Sequence, residues 1–121
     1  MPKKILVIED DEQMCSMLKR VLENAGYTVI DAPDGKAGMK LYRENGADLV
    51  ITDLIMPEKE GIETIRELKQ DNPDVKIIAI SGGGIIKSED YLQIAERLGV
   101  QRTLAKPFKN EEILEAVNEL I

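Results

Sequence analysis

Apolar residues recur along this chain in two alternating rhythms. Short aliphatic runs, from Ile5 to Ile8, Thr28 to Ala32, Leu49 to Thr52, Val75 to Ile80 and Arg102 to Ala105, read as β-strands. Several are apolar at almost every position, the pattern of a parallel strand covered on both faces. Between them the spacing changes to that of a helix. Met14, Leu18, Val21, Leu22 and Ala25 form one apolar stripe, with Gly26 as its stop. A second helix runs from about Gly35 to Glu44 and ends near Asn45-Gly46, and Ile62, Ile65 and Leu68 mark a third, closed off by Asn72-Pro73. Ser88 caps a fourth, with Glu89 and Asp90 in its first turn and Leu92, Ala95 and Leu98 inward. Asn110, followed by Glu111 and Glu112, opens a fifth that carries Ile113, Val117 and Leu120. Strand alternating with helix implies right-handed crossovers and a central parallel sheet, hence an α/β fold. In such sheets ligands bind beyond the carboxyl ends of the strands, so chemistry is to be sought in the loops that follow them.

Composition narrows that chemistry. The chain has 121 residues, enough for one domain, and it contains one cysteine and no histidine. Zinc and haem sites built from Cys and His are thereby disfavoured, and Cys15 has no partner for an internal disulfide. An unpaired cysteine and the lack of a signal peptide point to a reducing, cytoplasmic setting. The longest apolar runs, such as Ile77 to Ile80, are far too short to span a bilayer. A formal charge of −7 and an aromatic content of 3% leave neither a basic face nor a stacking platform for nucleic acid. Lys3 and Lys4 read as solvated flank residues.

Four of the five strand ends carry reactive side chains. The first is followed by Glu9-Asp10-Asp11-Glu12, of which Asp11 and Glu12 suit a helix N-terminus. The third ends in Asp53, an acid after a buried-strand signature with no helix to cap, before a loop broken by Pro57 and Gly61. If the first and third strands are neighbours, Glu9, Asp10 and Asp53 converge, and three carboxylates held together call for a cation. An all-oxygen anionic site selects a hard ion such as magnesium or manganese. The fourth strand is followed by Ser81-Gly82-Gly83-Gly84, a hydroxyl and bare backbone amides suited to phosphate. The fifth is followed by Lys106-Pro107-Phe108, where the proline fixes the turn that aims the lysine. Acids with a metal, a hydroxyl and a lysine suit phosphoryl transfer to a carboxylate.

Over its whole length the sequence resembles the receiver domains of bacterial two-component response regulators. The resemblance rests on Ile5-Leu6-Val7-Ile8-Glu9-Asp10-Asp11, Asp53-Leu54-Ile55-Met56-Pro57 with Gly61, Ile80-Ser81-Gly82, and Lys106-Pro107-Phe108. It implies one receiver domain over residues 1–121, with a doubly wound, flavodoxin-like five-stranded sheet of order 2-1-3-4-5 flanked by five helices. It implies that Asp53 accepts a phosphoryl group from a sensor histidine kinase or phosphotransfer protein in a magnesium-dependent reaction, and that the change of state controls an output partner or attached output domain. The metal would be held by Glu9, Asp10, Asp53 and the backbone carbonyl of Ile55, with Asp10 a direct ligand and Glu9 acting through water. Ser81, Gly82 and Lys106 would bind the phosphoryl group, and the Lys106-Pro107 peptide would be cis. Such a domain is a switch that assists its own phosphorylation and dephosphorylation rather than an enzyme acting on a separate substrate.

Two departures stand out. Thr103 occupies the position, three before the lysine, where many members carry a rotating aromatic, and the run Gly82-Gly83-Gly84 is unusually rich in glycine, which predicts a mobile loop. Competing readings fit less well. A phosphatase working through an aspartyl phosphate wants a second acid two residues after the nucleophile, where this chain has Ile55. A flavin-binding electron carrier wants a Ser/Thr/Gly phosphate loop after the first strand, where four acids stand instead. A pure interaction module with a dead site would not need Glu9, Asp10, Asp53, Ser81 and Lys106 together.

Overall fold

The computed structural model describes residues 2–54, 61–81, 93 and 96–121. Within them lie β1 (Lys4–Ile8), α1 (Glu12–Asn24), β2 (Thr28–Ala32), α2 (Gly35–Asn45), β3 (Leu49–Asp53), α3 (Gly61–Asp71), β4 (Ile77–Ser81), β5 (Arg102–Ala105) and α4 (Asn110–Leu120). The strands form one five-stranded sheet in the order β2-β1-β3-β4-β5, and every neighbouring pair is parallel. The helix expected from Ser88 onward falls almost wholly outside the described residues, as do Ile55, Gly82 and the rest of the glycine run.

Side-chain alternation along each strand divides the core in two. Ile5, Val7, Leu49, Ile51, Ile78 and Ile80 pack with Leu18 and Leu22 of α1 and Ile113 and Val117 of α4. Leu6, Ile8, Val50, Ile77 and Ala79 pack on the other side with Met39 of α2 and Ile65 and Leu68 of α3. Burial on both faces explains why β1, β3 and β4 read as unbroken aliphatic runs rather than alternating ones.

Helix starts follow the expected chemistry. Asp11 caps α1, its carboxylate accepting from Gln13 N at 2.9 Å and Met14 N at 3.2 Å, and Asp34 caps α2 by accepting from Ala37 N at 2.8 Å. β4 begins two residues later than its apolar run suggests. Val75 is buried, but its N–H closes a turn onto Asn72 O, and its carbonyl is served by the side chains of Lys69 and Gln101. Apolar burial there comes without a place in the ladder. No helix among the described residues is long and apolar enough to cross a membrane.

One close approach sets the seat of α2. A Cβ on Gly38 would lie 2.5 Å from Cδ1 and 2.7 Å from Cγ1 of the fully buried Ile8, the residue before Glu9. Gly38→Val is therefore expected to cost about 1–3 kcal/mol by overpacking. Ile8→Ala, costing about 2–5 kcal/mol alone, is expected to cost clearly less in the Gly38→Val background. Urea unfolding of the four proteins checks this, and strict additivity would contradict the contact.

Candidate functional site

Register brings the acids together. β1 pairs with β3 so that Ile8 stands opposite Thr52, and one step further Glu9 comes alongside Asp53. Pairing continues past the strand ends, with Glu9 N bonded to Ala32 O at 3.0 Å and Lys106 N to Ser81 O at 2.8 Å. Both backbones are thus held where their side chains leave the sheet. Glu9 is 3% exposed and Asp53 5%, while Asp10 is exposed. One carboxylate oxygen from each of Glu9, Asp10 and Asp53 lies within 4.8 Å of the others.

Lys106 reaches this cluster from the end of β5, on the far side of β4. Its Nζ donates to Glu9 Oε1 at 2.6 Å and to Asp53 Oδ2 at 3.1 Å. Ser81 closes β4, the strand between, and is fully buried. Among the described residues, Glu9 Oε2 and Ser81 Oγ are buried without a hydrogen-bond partner. A buried polar atom left so is costly unless a further group reaches it. The Lys106-Pro107 peptide is cis. Beside the acids, a cleft of about 340 Å³ lined by Glu9, Asp10, Glu12, Cys15 and Asp31 opens to solvent. A larger hollow of about 430 Å³ lies at the opposite end of the sheet, but Lys76 there is already spent on Leu120 O at 2.6 Å.

Known proteins resemble the chain over nearly its whole length. The family model for the response regulator receiver domain matches residues 5–118. The chain belongs to the response regulator receiver domain family. The chemotaxis protein CheY of Thermotoga maritima is 33% identical over 121 residues, covering 99% of this chain and 98% of the relative. The transcriptional regulatory protein CpxR of Escherichia coli is 33% identical over 118 residues, covering 98% of this chain but only 49% of its own. A receiver domain protein from Clostridium thermocellum superposes with a TM-score of 0.91 at 32% identity, covering 98% of this chain and 94% of that one. The receiver fold and its place in two-component signalling are therefore those of this chain.

Of the residues singled out from the receiver sequence, Glu9, Asp10, Asp53 and Lys106 are brought together and Ser81 ends the adjoining strand. Ile55 and Gly82 lie outside the described residues. Two neighbours of Asp53 were passed over in the sequence, Thr52 as a donor and Gly61 as more than a loop breaker. The signal for Thr52 is a hydroxyl inside an aliphatic strand; Gly61 stands in the motif itself, but its contact with the Asp53 carbonyl is made across the fold and is not written in the local sequence.

Charge in the receiver's cluster is out of balance. Burial, helped by Asp53, pushes the Glu9 carboxyl up to about 8 despite the ammonium of Lys106. Burial pulls Lys106 down, but the hydrogen bond to Glu9 and the charges of Asp53 and Glu9 outweigh it, so its net shift is upward. Cys15 is no nucleophile, since burial and the facing Asp31 push its thiol up to about 11. A carboxyl whose folded value exceeds its unfolded one favours folding while protonated, and the benefit fades as pH rises through the window from 4.5 to about 8. Lys106 titrates above that window. With chelator present, the melting temperature is expected to fall between pH 5 and pH 8, and Glu9→Gln to flatten that slope. An equal slope in both proteins, followed by thermal scans, would contradict the assignment.

Proposed function

We propose that this receiver is a phosphoacceptor switch in which Asp53 takes a phosphoryl group from a phosphohistidine of a sensor kinase or phosphotransfer protein. The observation that carries the reading is Lys106 Nζ between two nearly buried carboxylates, 2.6 Å from Glu9 and 3.1 Å from Asp53, with Asp10 beside them. In the reaction a carboxylate oxygen of Asp53 attacks phosphorus, the P–N bond breaks, and the leaving imidazole keeps the electron pair and takes up a proton. An acyl phosphate results. Lys106 is within reach of Asp53 and can pair with a phosphoryl oxygen as charge develops on it. The unpartnered hydroxyl of Ser81 can donate to another, and the amide of Gly82 would follow it.

The donor set fits a hard divalent cation, magnesium or manganese. It is all oxygen, strongly anionic, and includes an orphaned buried atom, Glu9 Oε2. Asp10 and Asp53 would hold the ion directly, Glu9 through water, and the Ile55 carbonyl would complete the set. When bound, the ion supplies positive charge that offsets the acids and lets an anionic donor approach. The same groups would position a water for hydrolysis of the acyl phosphate, so the switch resets itself. Residues 1–121 would serve as one receiver unit controlling an output partner or attached domain. The relatives support both arrangements, since one matches over 98% of its length and another over 49%.

Incubation with phosphoramidate and magnesium is expected to add one phosphoryl group by intact mass. Labelling should vanish in Asp53→Asn or with chelator, and slow by about 10²-fold in Lys106→Met. Undiminished labelling of Asp53→Asn would overturn the reading.

A further inference from the structure

Thr52 is an odd residue for its place. It is fully buried inside β3, flanked in register by the aliphatic Ile8 and Ala79. Its hydroxyl donates to the backbone carbonyl of Asp53 at 3.0 Å. Being β-branched, threonine has few rotamers, so this donor is aimed rather than free to swing.

The same carbonyl is hemmed in by Gly61, the first residue of α3. A Cβ on Gly61 would collide with the Asp53 carbonyl oxygen and lie 2.5 Å from Leu54 Cα. Glycine there lets α3 close down on the strand end, and Gly61 N bonds Leu54 O at 3.0 Å. The next amide, Leu54 N, is fixed to Ile80 O at 2.9 Å. The peptide that follows Asp53 is thus held at its oxygen by Thr52 and Gly61 and at its nitrogen by β4.

We propose that Thr52 is a positioning residue for the Asp53 carboxylate, with Gly61 as the opposing wall of the same clamp. The inference rests on Asp53 being the phosphoacceptor. A carboxylate that must attack in line gains from a fixed Cα, because misplacement by a fraction of an ångström lowers the rate of a positioned reaction. The hydroxyl never meets the phosphoryl group and acts only through the backbone.

The test compares wild type with Thr52→Val and Thr52→Ala, which lack the hydroxyl, and Thr52→Ser, which keeps it. Phosphoramidate labelling is followed by intact mass at saturating magnesium, giving a maximal rate and a half-saturating donor concentration. Magnesium affinity is measured by calorimetry. Val and Ala are expected to lower the maximal rate about three- to tenfold, leaving half-saturation and magnesium affinity unchanged, with Ser within about twofold of wild type. A Val protein at the wild-type rate, or Ser slowed as much as Val, would overturn the proposal. If Val does not fold, Ala against Ser makes the same comparison. If neither hydroxyl-free protein folds while Ser does, the hydroxyl is structural and the proposal falls. Absence of labelling at Asp53 in wild type would instead sink the phosphoacceptor reading.

Discussion

Three carboxylates and one ammonium crowd the carboxyl end of a buried parallel sheet, and their charges do not cancel. Almost everything distinctive about the site follows from that imbalance. Two of the acids are nearly inaccessible to water, so solvent does little to screen them. Lys106 divides itself between Glu9 and Asp53. Burial, with Asp53 beside it, pushes the Glu9 carboxyl up to about 8. A structure that served stability alone would fill these positions with aliphatic side chains, as it does one residue earlier at Ile8 and two residues earlier at Ile51. That imbalance of charge is the observation on which the proposed cation and anionic substrate rest.

The sheet is what makes so crowded a site tolerable. The site's side chains stand at or just past strand ends whose backbone is already paired: Glu9 N on Ala32 O, Leu54 N (the amide after Asp53) on Ile80 O, and Lys106 N on Ser81 O. The two core layers, one under α1 and α4 and the other under α2 and α3, hold those ends from both sides. The backbone that carries the acids is thereby fixed on both sides of the sheet. Thr52 and Gly61 extend the same logic to the peptide that follows Asp53.

Much of this was legible in the residues. Strands buried on both faces announce themselves by runs such as Leu49-Val50-Ile51, and a lone acid at the end of such a run has no structural duty. Asp11 was readable as a helix cap because Asp, three residues ahead of an apolar stripe, suits that role. Other features depend on distance in space. Val75 continues an apolar run yet leaves the ladder, because side chains of Lys69 and Gln101 take its carbonyl. Nothing in the local sequence says that Lys106 will sit nearer to Glu9 than to Asp53, or that α3 will press Gly61 onto Asp53 O. Those are consequences of packing between segments dozens of residues apart or across a loop.

The central claim is that the folded site is short of positive charge and is stabilised when that charge is supplied. The direct measurement is the melting temperature of the protein at pH 7.5 as magnesium is added, against sodium chloride at matched ionic strength. At roughly tenfold excess over its dissociation constant, magnesium should raise the midpoint by about 3–6 °C, and the rise should continue with the logarithm of concentration. A midpoint that moves no more with magnesium than with sodium would contradict the account.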